Sequence, residues 1–311
     1  MYKIKNNEYA KNYSSLMDSI KKINNDWLNI RNSKEYKYGN LLSEIKANIR
    51  HGKFLILFKS LKRKLQGQSG AKIRTNTDTI HIDKIESNYF SDKKIAIYTS
   101  VFGKYDNLLE PLFLPDNCDF FVITDLEVDS SSAWKKIDTL PEMANMSNVE
   151  KNRYVKINPH LLFKDYDYSI YVDGNIKIMS DLTEYIHMLN EVGIGTHLHH
   201  LRNCVYDELI AINKSKKDTK ENIAKHRKLL DENGMPKKYG LLQCSVIVRE
   251  HNNPTCVKIM NEWWNEFKNY SKRDQISLPH VLYSNGITVD KVGVLGNNIY
   301  KNPSFRIMNH K

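Results

Sequence analysis

Residues 168–178 read Tyr-Ser-Ile-Tyr-Val-Asp-Gly-Asn-Ile-Lys-Ile. The pattern predicts a β-strand that is followed directly by residues able to bind a ligand. The first five, 168–172, are mostly β-branched or aromatic, which predicts a buried strand. Gly174 then permits a sharp turn, and Asp173 and Asn175 place oxygen atoms at the carboxyl end of that strand. Ligands of α/β sheets bind at this end, and such oxygens suit a divalent cation holding a phosphate. A strand followed by an ordinary Asx turn is the alternative.

Strands and helices alternate on both sides of this run. Further apolar runs predict strands over 94–101, 118–124, 193–200 and 241–249. Helical spacing predicts helices over 150–163, 180–191, 218–233, 253–270 and 274–284. Ser180 is the expected N-cap of the second helix, and Pro279 predicts a break in the last one. Strands that alternate with helices predict an α/β fold with three layers and a mainly parallel central sheet.

The positive charge of the chain is concentrated near its N-terminus. Residues 1–90 carry 18 Lys and Arg against 8 Asp and Glu, whereas residues 91–311 carry 29 against 28. We therefore predict two domains, a basic helical N-terminal region with a linker over 1–90 and the main domain over 91–311. Within the first, residues 45–65 predict a basic amphipathic helix that contains no acidic residue. Such a helix suits an anionic membrane surface, and the alternative is a core-packed helix with a solvated basic face.

Several broad classes of protein do not fit this composition. Residues 1–13 are polar, so no signal peptide is expected, and no apolar run approaches the roughly 20 residues of a membrane span. The four cysteines lack metal-ligand spacing, which favours a reduced, cytosolic chain. The basic segment has no accompanying nucleic-acid recognition motif, so no nucleic-acid partner is expected. An apolar stripe over 20–30 predicts a helix that packs on the main domain or on a second copy of the chain.

Three further patterns carry polar chemistry. The strand over 94–101 runs into a glycine turn at 102–106, which could lay backbone against a nucleotide, although an ordinary β-turn explains it equally well. Arg153 and Lys156 share one face of a predicted helix and could hold a diphosphate, or they form a solvated charged face. Histidines, an arginine and acids crowd into residues 197–208, and without zinc-ligand spacing an acceptor or phosphate pocket is the better interpretation.

These patterns, in this order, resemble a glycosyltransferase-like domain family that was first catalogued as a domain of unknown function. Bacterial surface-polysaccharide proteins and plant seed-mucilage glycosyltransferases share that domain. The likeness runs from about residue 93 to the end of the chain. The matching motifs are Tyr98-Thr99-Ser100-Val101-Phe102-Gly103-Lys104-Tyr105-Asp106, Arg153 with Lys156, Tyr171-Val172-Asp173-Gly174-Asn175, His200-x-Arg202-x-Cys204-x-Tyr206-x-Glu208, Arg273-Asp274-Gln275 and Asn309-His310.

The resemblance implies a GT-A-like nucleotide-sugar fold and a metal-assisted site. Asp173 and Asn175 would stand where that fold keeps its Asp-x-Asp motif, and His310 would match a C-terminal histidine ligand. The neutral Asn175 implies a lower affinity for Mn²⁺ or Mg²⁺ than two carboxylates would give. The residues expected to bind the nucleotide diphosphate sugar are Thr99, Phe102, Tyr105, Arg153, Lys156, Asp173 and Arg202. The residues expected to be catalytic are Asp274, as a base if one is needed, Glu208 and His200.

The expected function is that of a metal-dependent glycosyltransferase of the hexosyltransferase type. It would move a sugar from a UDP-linked donor to a glycan or lipid-linked acceptor in surface polysaccharide synthesis. It would be cytoplasmic and peripheral at the inner face of the cell membrane. The alternative is a GT-A-like module that binds a nucleotide sugar or glycan without transfer. A hydrolase is disfavoured because the chain lacks a G-x-S-x-G motif.

Overall fold

The computed structural model describes residues 92–103 and 105–309. Several sequence predictions lie outside the described residues, namely the helices within 1–90, the basic segment 45–65 and the histidine at position 310. In the part of the chain that the structure describes, no helix has both the length and the apolar composition that a membrane span requires.

A sheet of seven strands forms the centre of the described chain. Its order is β3-β2-β1-β4-β7-β6-β8, and β7 runs antiparallel to both of its neighbours while the remaining pairs are parallel. Two short strands, β5 and β9, pair separately. The strands are β1 Ile95–Val101, β2 Cys118–Thr124, β3 Lys135–Ile137, β4 Tyr168–Val172, β5 Ile176–Ile178, β6 Ile194–Leu198, β7 Leu242–Arg249, β8 Gly293–Val294 and β9 Phe305–Ile307.

Several α-helices accompany this sheet in the described chain. They are α1 Asn148–Ile157, α2 Pro159–Leu162, α3 Val205–Lys214, α4 Lys220–Glu232, α5 Pro254–Asn269 and α6 Asp274–Ser284. Tyr98, Tyr171 and Ile247 point to one face of the sheet and pack with Trp263 of α5 in one apolar cluster. The alternate residues of the same strands join a second cluster on the other face. The period of two along each strand thus fills two buried layers, and the predicted α/β fold with a mainly parallel central sheet is confirmed.

Two of the predicted helices differ from the structure. Residues 180–191 do not form an α-helix, because only a 3-10 segment over Thr183–Met188 is present, and Asp181 rather than Ser180 accepts the Thr183 N–H, at 2.8 Å. The predicted break at Pro279 is also absent, since α6 runs through this residue. The helix is buried from its first residue to Leu282, so tertiary packing outweighs the cost of an interior proline, about 3 kcal/mol.

The direction of the strands determines where polar side chains gather. Because β1, β2, β4 and β6 run the same way, their carboxyl ends meet at one edge of the sheet, together with the amino end of the antiparallel β7. Asp173 follows β4 at this edge, and His199 follows β6. This edge is where the sheet presents its candidate site.

Candidate active site

Asp173 is held at the end of β4 by its backbone. Its N–H donates to Ser245 O at 2.9 Å, and its carbonyl accepts the Ile176 N–H at 2.9 Å, which closes the turn into β5. Gly174 then lies so close to β1 that an added Cβ would stand 2.9 Å from a Val101 methyl. The glycine therefore lets the β1 turn approach Asp173, as the sequence pattern predicts.

Four charged side chains form a buried network beside this turn. The Lys156 ammonium lies 3.3 Å from Asp173 Oδ1 and 2.5 Å from Asp274 Oδ2, and Arg153 Nε lies 3.4 Å from the same Asp274 oxygen. The side chains of Lys156 and Asp274 are only 2% and 3% exposed, whereas that of Asp173 is 28% exposed. Both cations come from α1, which begins with a capping box at Ser147. The structure thus brings three separate predicted motifs together.

The environment of Asp274 opposes its predicted role as a base. Burial alone would raise the pKa of this carboxyl, but Arg153, Lys156 and Arg273 outweigh it and hold the pKa well below its usual range. A carboxylate that binds protons so weakly is a poor general base at neutral pH. Its position between Lys156 and Arg153 instead suits a residue that orients these two cations.

The three donor-binding residues predicted on β1 and its turn differ in accessibility. Thr99 and Phe102 are buried, at 3% and 4% exposure, whereas Tyr105 is 62% exposed. Burial argues against direct contact of the first two side chains with a nucleotide, which corrects that expectation. Gly103 N–H donates to the Asp125 carboxylate at 3.1 Å and joins the ends of β1 and β2. Tyr105 is therefore a side chain on this turn that a ligand can reach.

The second predicted metal residue, Asn175, is tied to the last described strand. Its side-chain Nδ2 donates to Met308 O at 3.1 Å, and its backbone carbonyl accepts the Met308 N–H at 2.8 Å. This orientation leaves the amide oxygen Oδ1 for another contact. Within the described residues, no three His, Cys, Asp or Glu side chains gather as a metal cluster. Asp173 and Asn175 supply oxygen ligands that fit Mg²⁺ or Mn²⁺, and the rest of the shell would come from elsewhere.

The predicted residues after β6 form a second polar group. Arg202 Nε donates to Glu208 Oε2, and His199 Nε2 lies 3.8 Å from the same oxygen. His199 Nδ1 accepts the backbone N–H of Arg202 at 3.1 Å, and burial lowers the His199 pKa to about 4. The ring of His200 packs edge-on against Tyr300, with centroids 4.6 Å apart. Glu208 thus sits in the first turn of α3, a helix that the sequence analysis missed.

The two polar groups share one edge of the sheet. His199 follows β6 and Asp173 follows β4, and β7 lies between these strands. Two strand spacings of about 4.8 Å put the strands roughly 10 Å apart. The His199 N–H donates to Leu241 O at 2.9 Å, so the start of β7 connects the groups. A ligand of the size of a nucleotide sugar can span this distance.

The start of β7 also holds site residues that sequence reasoning missed. Cys244 has a φ of +57°, in the left-handed region that non-glycine residues rarely occupy. Gln243 and Ser245 flank it, and the Gln243 Nε2 donates to Ser245 Oγ at 3.2 Å. The Gln-Cys-Ser sequence contains no glycine or asparagine to signal a bulge, which is why a regular strand was predicted there.

Solved structures similar to this chain include three glycosyltransferases. The apo structure of the bifunctional glycosyltransferase WbbM has 12% sequence identity and a TM-score of 0.40, over 64% of this chain and 39% of that one. Mouse xyloside xylosyltransferase 1, in apo form, has 9% identity and a TM-score of 0.38, over 65% and 85%. Galactosyltransferase LgtC, in complex with donor and acceptor sugar analogs, has 14% sequence identity and a TM-score of 0.38, over 62% of this chain and 72% of that one. This chain therefore spans about two fifths of the length of WbbM.

Family membership is established by sequence. Comparison with curated protein sequences gives no match. A sequence model described as the TOD1/MUCI70 glycosyltransferase-like domain matches residues 130–305, which is more than half of the chain. The match contains α1, the Asp173 turn, the start of β7 and the first residue of α6, and it confirms the resemblance that the motifs indicated. The chain belongs to the TOD1/MUCI70 glycosyltransferase-like family.

Proposed function

We propose that this protein transfers a sugar from a nucleotide diphosphate sugar, UDP-linked by preference, to a glycan or lipid-linked acceptor in surface polysaccharide synthesis. Family membership supports sugar transfer in general. The observation that carries the finer proposal is the partly exposed Asp173 carboxylate, held by the buried Lys156 at the carboxyl edge of the sheet. Nucleotides bind α/β sheets at this edge.

The residues around Asp173 would bind and orient the donor. Asp173 and Asn175 would hold Mg²⁺ or Mn²⁺, with His310 as a further ligand, and this ion would neutralise charge on the leaving nucleoside diphosphate. Lys156 holds the Asp173 carboxylate in place, and Asp274 holds Lys156. Arg153, whose side chain is 17% exposed, would face the diphosphate. Asp274 is thus a positioning residue in this proposal.

The residues after β6 would meet the transferred sugar and the acceptor. Glu208 is oriented by Arg202 and His199 and replaces Asp274 as the candidate base if the displacement inverts configuration. His200 stands at the rim, against the exposed Tyr300. The protein would work at the cytoplasmic face of the membrane, where residues 45–65 would bring it to a lipid-linked acceptor. Its N-terminal helices could also support a homo-oligomer.

The proposal is tested with a panel of UDP-, GDP- and dTDP-sugars. We expect one donor class to raise the melting temperature more with Mn²⁺ than without, and to be consumed by hydrolysis or transfer. Asp173→Ala should remove both effects. Asp165→Ala is the matched control, because this exposed acid precedes β4 at the opposite edge of the sheet. Full turnover and metal dependence in the Asp173 variant would show that the site is misassigned.

A binding module without transferase activity is the second candidate. One observation favours it: the Lys156 ammonium already neutralises part of the charge on Asp173, and Asn175 is neutral, so both residues hold a metal less strongly. Calorimetry that shows nucleotide-sugar binding, without donor consumption across acceptors, would support this candidate over the enzyme.

A further inference from the structure

Strand β7 is irregular where it enters the candidate site. Two steps along β6, from Thr196 to Leu198, correspond to five steps along β7, from Ile247 to Leu242. The extra residues bulge out of the ladder, and Cys244 adopts its φ of +57° among them. A fully buried non-glycine residue in this conformation is strained. Bulges with such strain are common next to functional sites, where they change the direction of a side chain. The side chain next to it is that of Gln243.

The Gln243 amide is buried but only half satisfied. The residue is 8% exposed. Its Nε2 donates to Ser245 Oγ at 3.2 Å, and its backbone carbonyl accepts the Gln275 side-chain N–H at 2.7 Å. Its side-chain oxygen, Oε1, has no hydrogen-bond partner among the residues that the structure describes. A buried carbonyl oxygen without a donor is unfavourable, so a hydrogen-bond donor from outside the described residues would stabilise it.

The position of Gln243 indicates which donor that is. Ser245 accepts the Gln243 amide N–H at its Oγ and the Asp173 backbone N–H at its carbonyl. Gln275, which fixes the Gln243 backbone, follows Asp274 of the ion network. Two hydrogen bonds, both made by Ser245, therefore link Gln243 to Asp173, the residue that would hold the metal ion. In a nucleotide diphosphate sugar, the diphosphate joins the ribose of the nucleoside to the transferred sugar, and both groups carry hydroxyls that donate hydrogen bonds. Comparing a nucleotide sugar with its parent diphosphate separates the two groups.

We propose that Gln243 Oε1 accepts a hydrogen bond from a hydroxyl of the transferred sugar and makes Gln243 a determinant of donor specificity. The inference rests on the proposed function and adds to it a residue outside the motifs of the sequence analysis. A site that must satisfy a buried acceptor discriminates strongly against a sugar that lacks the matching hydroxyl.

The first test separates the sugar from its nucleotide. Binding is measured by calorimetry in Mn²⁺ for UDP-glucose against UDP, GDP-mannose against GDP and dTDP-rhamnose against dTDP. In Gln243→Met, a similar volume without polar atoms, we expect the sugar-dependent gain in affinity to fall by about 10- to 100-fold. Affinity for the parent diphosphate should not change. The control is Asn252→Leu, which removes an exposed amide that binds Lys164 O and Tyr166 O at the opposite edge.

The second test begins with the unchanged protein, so its first result does not depend on a variant that folds. Among monodeoxy analogues of the bound donor, one deoxy position should cost at least about 10-fold in affinity. The same position should cost nothing further in Gln243→Met. Equal binding of all monodeoxy donors to the wild type, or an undiminished sugar gain in the variant, overturns the inference and leaves the proposed function intact. Failure of every nucleotide sugar and diphosphate to bind overturns both.

Discussion

Asp274 shows how the surroundings of one residue decide its chemistry. Its carboxylate is almost fully buried between Lys156 and Arg153, and the two cations hold its pKa below the ordinary value of 3.8. A lowered pKa in the folded state stabilises the protein at pH values above the unfolded pKa. This contribution is lost as the pH falls below about 4 toward the lowered pKa. The ionised carboxylate therefore stabilises the fold at neutral pH, and this stabilisation declines in acid.

Replacing Asp274 tests this account directly. We expect Asp274→Asn to lower the free energy of unfolding by about 3–5 kcal/mol at pH 6, because two cations lose their buried partner. The gap between wild type and variant should narrow by about 1 kcal/mol at pH 3, where the unfolded chain binds a proton at this residue. Urea denaturation at both pH values measures the gap. Asp165→Asn, an exposed acid, should show neither effect, and a gap that widens in acid would contradict the assigned pKa direction.

The sequence predicted some of these residues better than others. Asp173 could be placed at a strand end because a buried strand followed by Asp-Gly-Asn has few other interpretations. Asp274 could be placed at a helix start, but its burial depends on how α6 packs against α1, which no local pattern encodes. For the same reason Thr99 and Phe102 were expected to meet a ligand, whereas they fill the core.

At the scale of elements, β7 departs most from its sequence pattern. Its Val- and Ile-rich run predicted a regular strand, and the bulge at Cys244 became visible only against the register of β6. Helix α6 is more regular than its sequence predicted, since it continues through Pro279, where a break was expected. Local propensity thus located the longer strands of the sheet, and the contacts between elements decided where each one bends or continues.

The strain at Cys244 predicts an unusual ranking of two substitutions. Both Cys244→Gly and Cys244→Ala remove the buried thiol, but only glycine adopts a φ of +57° without cost. We expect the glycine variant to be more stable by about 1 kcal/mol, since a side chain in this region costs about 1–2 kcal/mol. Urea denaturation of the two variants gives the difference.

A second buried cysteine provides the matched control. Cys256 is fully buried in α5, and its backbone is helical. There, glycine should be less stable than alanine by about 0.5–1 kcal/mol, because glycine loses more backbone freedom. The two sites should therefore rank the same pair of substitutions in opposite order. An alanine variant that is the more stable one at position 244 would show that the conformation there is not strained.

At the scale of the whole molecule, the net charge is concentrated in the part of the chain that precedes the family match. The family match covers 130–305, and residues 91–311 are nearly neutral, whereas residues 1–90 hold almost all of the net positive charge. A neutral catalytic part gives no electrostatic reason to approach an anionic surface. We propose that the basic segment 45–65 supplies one, because its cations would attract anionic lipid and its apolar side chains would enter the interface.

Neutralising part of this segment tests its role in the full chain. Changing Lys59, Lys62, Arg63 and Lys64 to Gln keeps the apolar residues but removes four cations, each worth about 1 kcal/mol near an anionic surface. We expect the affinity for phosphatidylserine liposomes, measured by flotation, to fall by up to about a thousand-fold. Added salt should lower the affinity of the wild type in the same way. Neutral phosphatidylcholine liposomes should bind both proteins poorly, and donor binding should not change. Undiminished flotation of the variant would show that the segment is a solvated basic face, as its alternative interpretation holds.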